Sequence, residues 1–208
     1  MNKDLKKSIF AVLGIIIITV FGATFAYFYA RVTNSGSAIT GRTLDFGASI
    51  NLTTIYRANN LVPLRNERVI KAITKETNKC IDIYNRDTCS LYQITLSNTG
   101  DSVALSPYIT TTQTTYTTNN IRCQLYDTQY NAVSDIMTPS STVGGKVYIT
   151  SNSSNIVVNL SSASQTYYLV VWLTDTLSDQ ASDYYKKYNG TITVDAGSSG
   201  EIYVDFSA

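Results

Sequence analysis

The alternation from Thr43 to Leu52 constrains the fold more than any other feature of the chain. Leu44, Phe46, Ala48, Ile50 and Leu52 fall on one side of an extended backbone, and Thr43, Asp45, Gly47, Ser49 and Asn51 on the other. Ten residues at period two match the pleat of a strand and not the helical repeat, so one face belongs to a core and one to water. The pattern returns downstream. Tyr92, Ile94 and Leu96 share a face before the turn residues Asn98-Thr99-Gly100-Asp101. Val103 to Tyr116 is Thr-rich and extended, and Ile121, Cys123 and Leu125 alternate inward. Pro139-Ser140-Ser141 marks a loop. Lys146 to Thr150 and Ile156 to Leu160 read as short strands joined by Ser151 to Asn155. Tyr167 to Leu173 (YYLVVWL) is apolar on both faces, which predicts a central strand with Trp172 anchoring the core. Ile192 and Val194 face Ile202, Val204 and Phe206 across a turn at residues 196–200, a closing hairpin.

Composition agrees. Tyr is abundant at 16, Thr, Ser and Asn fill much of the rest, and only Pro63, Pro107 and Pro139 interrupt. Aromatic and β-branched residues in this proportion suit half-buried strands and exceed what a disordered chain carries. About eight to ten strands with turns between them, and no βα alternation, predict an all-β fold: a β-sandwich of jelly-roll or immunoglobulin-like topology over residues 41–208.

Arg57 to Lys79 breaks the pattern. Asn59 to Pro63 reads as a loop, and Glu67 to Lys75 as a short helix with Val69, Ile70 and Ile73 apolar. Arg57, Arg65, Arg68, Lys71, Lys75 and Lys79 collect there against Glu67 and Glu76 alone. Such a cluster is either a solvated face or a surface that attracts an anionic polymer. Cys80 and Cys89 then bracket a short turn-like segment, which in an exported chain predicts a disulfide. Cys123, which alternates with Ile121 and Leu125, is expected as a buried free thiol.

Export is itself an expectation from the sequence. Residues 9–30 run IFAVLGIIIITVFGATFAYFYA without a charge, behind Lys3, Lys6 and Lys7. A basic flank, an apolar run and small residues form the layout of a signal peptide, and Thr24-Phe25-Ala26 predicts a cut between Ala26 and Tyr27. Left uncut, the run is long enough to span a bilayer, which takes about 20 apolar residues. Residues 1–26 are thus a signal or an anchor. Residues 27–40 follow as an aromatic, β-prone arm and the polar linker Asn34-Ser35-Gly36-Ser37. Tyr27 to Val32 reads either as the interfacial end of a membrane helix or as a strand that pairs with another chain's sheet.

Several functions are excluded or disfavoured. The chain has no His. Ser-His-Asp and Cys-His catalysis are therefore out of reach, as is any zinc site built on imidazole. No cluster of acidic residues replaces them, and no catalytic, cofactor-binding or metal-binding residue is identified. With Lys3, Lys6, Lys7 and Asp4 set aside, 13 basic and 14 acidic residues remain. This balance argues against nucleic acid as a partner.

The junction Gly22-Ala23-Thr24-Phe25-Ala26-Tyr27-Phe28 resembles the signal-peptide end of the TasA and camelysin family of exported Gram-positive proteins. The segment with Cys80 and then Cys89-Ser90-Leu91-Tyr92 to Asn98 is similar to that group's, and so is Tyr167 to Leu173 followed by Asn189 to Val194. The resemblance implies a jelly-roll domain that builds extracellular fibres in a biofilm matrix. In such fibres the freed N-terminal segment of one subunit completes the sheet of the next. Carried over, the donor strand is Tyr27, Phe28, Tyr29, Ala30, Arg31 and Val32, and the physics is strand addition to an open sheet edge. The metallopeptidase label borne by some members does not carry over to a chain without His. The expected function is that of an exported structural protein of the cell surface or matrix, self-associating into filaments. The alternative is a monomeric module held in the membrane by residues 9–30, binding cell-wall or matrix polymers.

Overall fold

The structure is a computed structural model that describes residues 39–40 and 47–208, apart from Thr117 and Ser162. It is all-β and antiparallel. The strands are β1 (Ile39–Thr40), β2 (Ala48–Tyr56), β3 (Ser90–Asn98), β4 (Val103–Thr114), β5 (Ile121–Tyr126) and β6 (Lys146–Tyr148). They continue with β7 (Thr150–Ser151), β8 (Ser154–Asn155), β9 (Val158–Leu160), β10 (Gln165–Leu173), β11 (Tyr188–Asp195) and β12 (Glu201–Ser207). One helix of a single turn, α1 (Val69–Ile73), extends a 3-10 turn at Asn66–Arg68.

Two sheets form. The first has the order β1-β2-β3-β10-β5, and the second β12-β11-β4-β6, with β9 paired to the start of β4. Their facing sides make one core. Ile50, Ile94, Leu169 and Val171 from the first sheet meet Leu105, Ile109, Ile192 and Val204 from the second, all buried. Each such side chain contributes about 1.5–3 kcal/mol by leaving water. Gly190 lies where three aromatic residues, Tyr92, Tyr188 and Phe206, converge. A Cβ there would sit 2.7 Å from the Phe206 ring, so no larger residue fits without moving it.

The first sheet is covered on its outer face as well. Val69, Ala72, Ile73, Cys80 and Cys89 pack against Leu91, Tyr126, Val170 and Trp172. This explains the doubly apolar YYLVVWL segment. Leu169, Val171 and Leu173 turn toward the second sheet, and Val170 and Trp172 toward the lobe formed by residues 57–89. Strands buried on both faces lose the polar half of the alternation. The Trp172 indole N–H donates to Asn66 Oδ1 at 3.0 Å, and the Thr174 hydroxyl donates to the same oxygen at 2.9 Å. Backbone bonds from Leu64 N–H to Leu173 O (2.8 Å) and Asp175 N–H to Leu64 O (3.1 Å) complete the attachment.

Most strands lie where the periodicity puts them, and β5 and the β11–β12 hairpin match closely. Ala48, Ile50 and Leu52 are buried as alternation requires, while residues 43–46 lie outside the described residues. β2 runs on to Tyr56 through exposed Thr53, Thr54 and Ile55, with an irregularity between Thr54 and Tyr56. A bulge of this kind resets the inward-outward count, which is why the sequence pattern stops early. Residues 151–155, expected as a simple connection, instead form a tight hairpin between β7 and β8. Asn152 and Ser153 both have positive φ (51° and 63°), the conformation a two-residue type I′ turn demands. Ile39–Thr40, within the stretch read as arm and linker, pairs with Leu52 and Asn51 of β2.

Candidate functional site

The predicted cut at Ala26–Tyr27, the donor strand Tyr27 to Val32 and the apolar run 9–30 all lie outside the described residues. The other predicted pair is present: Cys80 and Cys89 form a disulfide, with Cα atoms 4.9 Å apart. Cys123 is a free, fully buried thiol. Burial pushes its pKa up, and the neighbouring Arg122 only partly opposes that. It remains a protonated core side chain near neutral pH. Among the described residues no three of Asp, Glu and Cys come together as a metal-binding group.

Strand addition needs a sheet edge with unpaired backbone groups, and among the described residues β12 has one. Tyr188 and Ala208 exchange two backbone hydrogen bonds (2.8 and 2.7 Å), and Ala196 N–H donates to Gly200 O at 2.9 Å. The register between these points is unbroken. Alternation along an antiparallel ladder therefore directs the backbone groups of Ile202, Val204 and Phe206 to β11. Those of Glu201, Tyr203, Asp205 and Ser207 point away. Ser207 is satisfied: its carbonyl accepts the Tyr92 hydroxyl and its N–H donates back to that oxygen at 3.4 Å. The outward N–H and C=O groups of Tyr203 and Asp205 have no partner among the described residues. Side chains of alternate sign of exposure line this edge, with Glu201 and Asp205 exposed and Tyr203 half-buried between them.

The far edge of the other sheet is sealed. β5 is flanked by residues 132–137, which turn back on it. Cys123 and Met137 exchange two backbone bonds (3.0 and 2.8 Å), and Val133 N–H donates to Leu125 O at 2.9 Å. The Leu125 N–H donates to the buried Ser134 hydroxyl at 2.9 Å.

A second feature lies on the lobe. Asp87 pins its base: it accepts the Tyr56 hydroxyl and the Asn59 N–H, the latter at 2.7 Å. Burial and then the Asp87 carboxylate push the Tyr56 hydroxyl up to about 12. Between α1 and the disulfide loop runs a groove of about 740 Å³. Five cations line it: Arg65, Arg68, Lys71, Lys75 and Arg86. Asp175 pairs with Arg65 (3.4 Å) and Asp82 with Arg86 (2.7 Å). Lys75 donates to the Ile81 carbonyl. Arg68 and Lys71 have no carboxylate partner among the described residues. Burial works against the ionised Asp82 carboxyl. Hydrogen bonds from the Arg86 amide and guanidinium and the Tyr84 amide outweigh it and hold the group below the usual carboxylate range. Thr88, 4% exposed, also lines the groove, and its buried hydroxyl has no hydrogen-bond partner among the described residues.

The sequence showed the basic cluster but not Arg86 or Thr88, which sit inside the cysteine loop and reach the groove only because the disulfide folds that loop back. It gave no signal for which edge stays open, since that depends on pairing between distant strands.

No protein-family model matches the chain, and no curated protein matches it. Among solved structures, it is similar to AvmM, which catalyzes macrocyclization in alchivemycin A biosynthesis. That likeness has a TM-score of 0.30 and 7% identity, covering 57% of this chain and 79% of AvmM. It is also similar to a cupin-superfamily sugar phosphate isomerase from Silicibacter pomeroyi, with a TM-score of 0.17 and 11% identity over 71% of this chain and 87% of that one. Scores this low transfer neither protein's fold nor its chemistry to this chain.

Proposed function

We propose that this is an exported structural protein of the TasA and camelysin type, which forms fibres at the surface or in the matrix of a Gram-positive-type bacterium. A signal peptidase cuts between Ala26 and Tyr27, and residues 27–32 then add to the sheet edge of the next subunit. The open edge of β12 is the observation that carries this reading. An extended Tyr27–Val32 segment has Phe28, Ala30 and Val32 on one face and Tyr27, Tyr29 and Arg31 on the other. Arg31 is opposite in charge to the exposed Glu201 and Asp205 of β12. Each backbone hydrogen bond formed there contributes about 0.5–1.5 kcal/mol, and burial of Phe28 and Val32 adds to it. Such a contact runs head to tail, so it propagates instead of closing. The protein works by assembly, without catalysis or a cofactor.

The sandwich is read as a jelly roll. The chain passes between the two sheets at β3–β4, β4–β5, β5–β6, β9–β10 and β10–β11, which supports a jelly roll over an immunoglobulin-like arrangement.

Tyr203→Pro tests the reading. It deletes an outward N–H and leaves the β11–β12 ladder its donors, a substitution edge strands tolerate. The processed variant stays folded and fails to form filaments under electron microscopy. Filaments as abundant as those of the unaltered chain would contradict strand addition at β12. A membrane-anchored module binding surface polymers is the second reading, and the basic groove is the observation that favours it.

A further inference from the structure

We infer that the groove of the disulfide lobe binds a single chain of an anionic, hydroxyl-rich polymer, whose charges are the carboxylates of an acidic saccharide or the phosphates of a polyol phosphate. Charge is the first reason. The molecule as a whole is close to neutral, with a formal net charge of +1. Yet five cations meet two carboxylates in this groove, and Arg68 and Lys71 are unpaired among the described residues. Arg68 at the N-cap of α1, Lys71 within it and Lys75 just past its end all line the same groove. Several cations along one groove suit a repeating polyanion better than one small ion. Guanidinium groups bind carboxylate and phosphate alike through paired N–H donors.

The second reason is independent of charge. The Thr88 side chain lines the groove, and its hydroxyl, covered from solvent until the side chain turns, has no hydrogen-bond partner among the described residues. Leaving such a group unsatisfied is costly, and Asn51 Oδ1 is the other buried side-chain atom of this kind among the described residues. A ligand hydroxyl would satisfy that of Thr88, which simple anions cannot do as both donor and acceptor. Thr88 adjoins Cys89, so the disulfide holds it in place before any ligand arrives, and little ordering is left to oppose binding. On the rim, Tyr84 is 72% exposed, with the Arg86 guanidinium 5.1 Å from its ring centre. This pair offers a flat amphipathic surface to a sugar or polyol.

A recessed hydroxyl distinguishes this ligand from a lipid surface, which would meet only the exposed tip at Ile83 and Tyr84. The groove lies on the body of the subunit, so binding does not depend on filament formation.

Titration calorimetry with the exported chain beginning at Tyr27 tests the inference, using poly(glycerol phosphate), polygalacturonate, uncharged dextran and phosphatidylglycerol vesicles. One or both anionic polymers bind, with affinity falling as salt rises, and dextran does not. The arm that binds identifies the phosphate or the carboxylate source. The double variant Arg68→Ser, Lys71→Ser weakens binding by about tenfold or more, as loss of charge-assisted bonds requires. Thr88→Val weakens it by about threefold to tenfold, the cost of one hydrogen bond, while thermal stability holds or rises because an orphaned hydroxyl is gone. A purely structural hydroxyl would show the opposite: lower stability and unchanged affinity. The Tyr203→Pro variant binds normally, which separates this result from assembly. The inference is overturned if neither polymer binds, if dextran binds equally, if Thr88→Val leaves affinity unchanged, or if vesicles bind more tightly than both polymers.

Discussion

β5 and β12 each end a sheet, and they treat their outward backbone groups in opposite ways. Beside β5, residues 132–137 supply a partner for Cys123 N–H and C=O, for Leu125 C=O and, through Ser134, for Leu125 N–H. Beside β12, only Ser207 is satisfied, by Tyr92, while Tyr203 and Asp205 face outward without partners among the described residues. Both strands are similar in length and inward apolarity, so strand chemistry does not explain the difference. Intervening chain does: residues 132–137 return along one edge, and no described backbone segment pairs with the other. Protein chains commonly blunt an exposed edge with charge. Here Glu201 and Asp205 put negative charge on β12, with their carboxylates turned back over the sheet to the Tyr108 and Thr191 hydroxyls, and under the proposed assembly that charge favours a strand that carries a cation.

Substitutions can break this contrast from either side. Met137→Pro has the largest expected effect. It removes the donor to the Cys123 carbonyl and most of a buried side chain, and should destabilise the fold by about 3 kcal/mol or more in urea melts. Tyr203→Pro should cost less than about 1 kcal/mol. Equal costs would mean that the two edges do not differ.

Replacing Cys80 and Cys89 with Ser should cost about 2–3 kcal/mol, because the closed loop is short, yet leave filament formation intact once the protein is folded. Filaments lost at full folding would tie the lobe to assembly. Ser134→Ala orphans the Leu125 N–H and should cost about 1–2 kcal/mol. Asp205→Lys should change subunit stability by less than about 0.5 kcal/mol and still slow filament growth at low salt, measured by turbidity, since it sets two cations against each other.

The smallest effect concerns pH. The Asp82 carboxyl is held below the usual carboxylate range, so its contribution is fully present above that range and is lost as pH falls through the lowered value. Below it, the protection factors of the Tyr84 and Arg86 amides, corrected for intrinsic exchange, should fall, while those of the edge amides of β5 do not. A Tyr84 protection factor that stays constant with pH would remove Asp82 from its place in the loop.

Local pattern carried much of this fold. Alternation located β3, β5, β11 and β12 because along most of each strand a buried apolar residue alternates with a polar or only partly buried one. The doubly apolar Tyr167 to Leu173 marked a central strand for a physical reason, since α1 and the disulfide loop cover its second face. The cysteine pair was legible from spacing and context. What stayed hidden is non-local. The seal on β5 comes from Ser134 and Met137 in a polar stretch without periodicity. Thr88 reads as an ordinary loop threonine until the disulfide turns it into the groove. The openness of β12 follows from strand order, which pairing across the whole chain decides.

Amide hydrogen exchange on the processed protein, before and after assembly, tests strand addition at β12 most directly. The Tyr203 and Asp205 amides should exchange freely in the subunit and become protected in the filament, while Cys123 and Leu125 stay protected throughout. Filaments in which the Tyr203 and Asp205 amides still exchange as they do in the free subunit would contradict it.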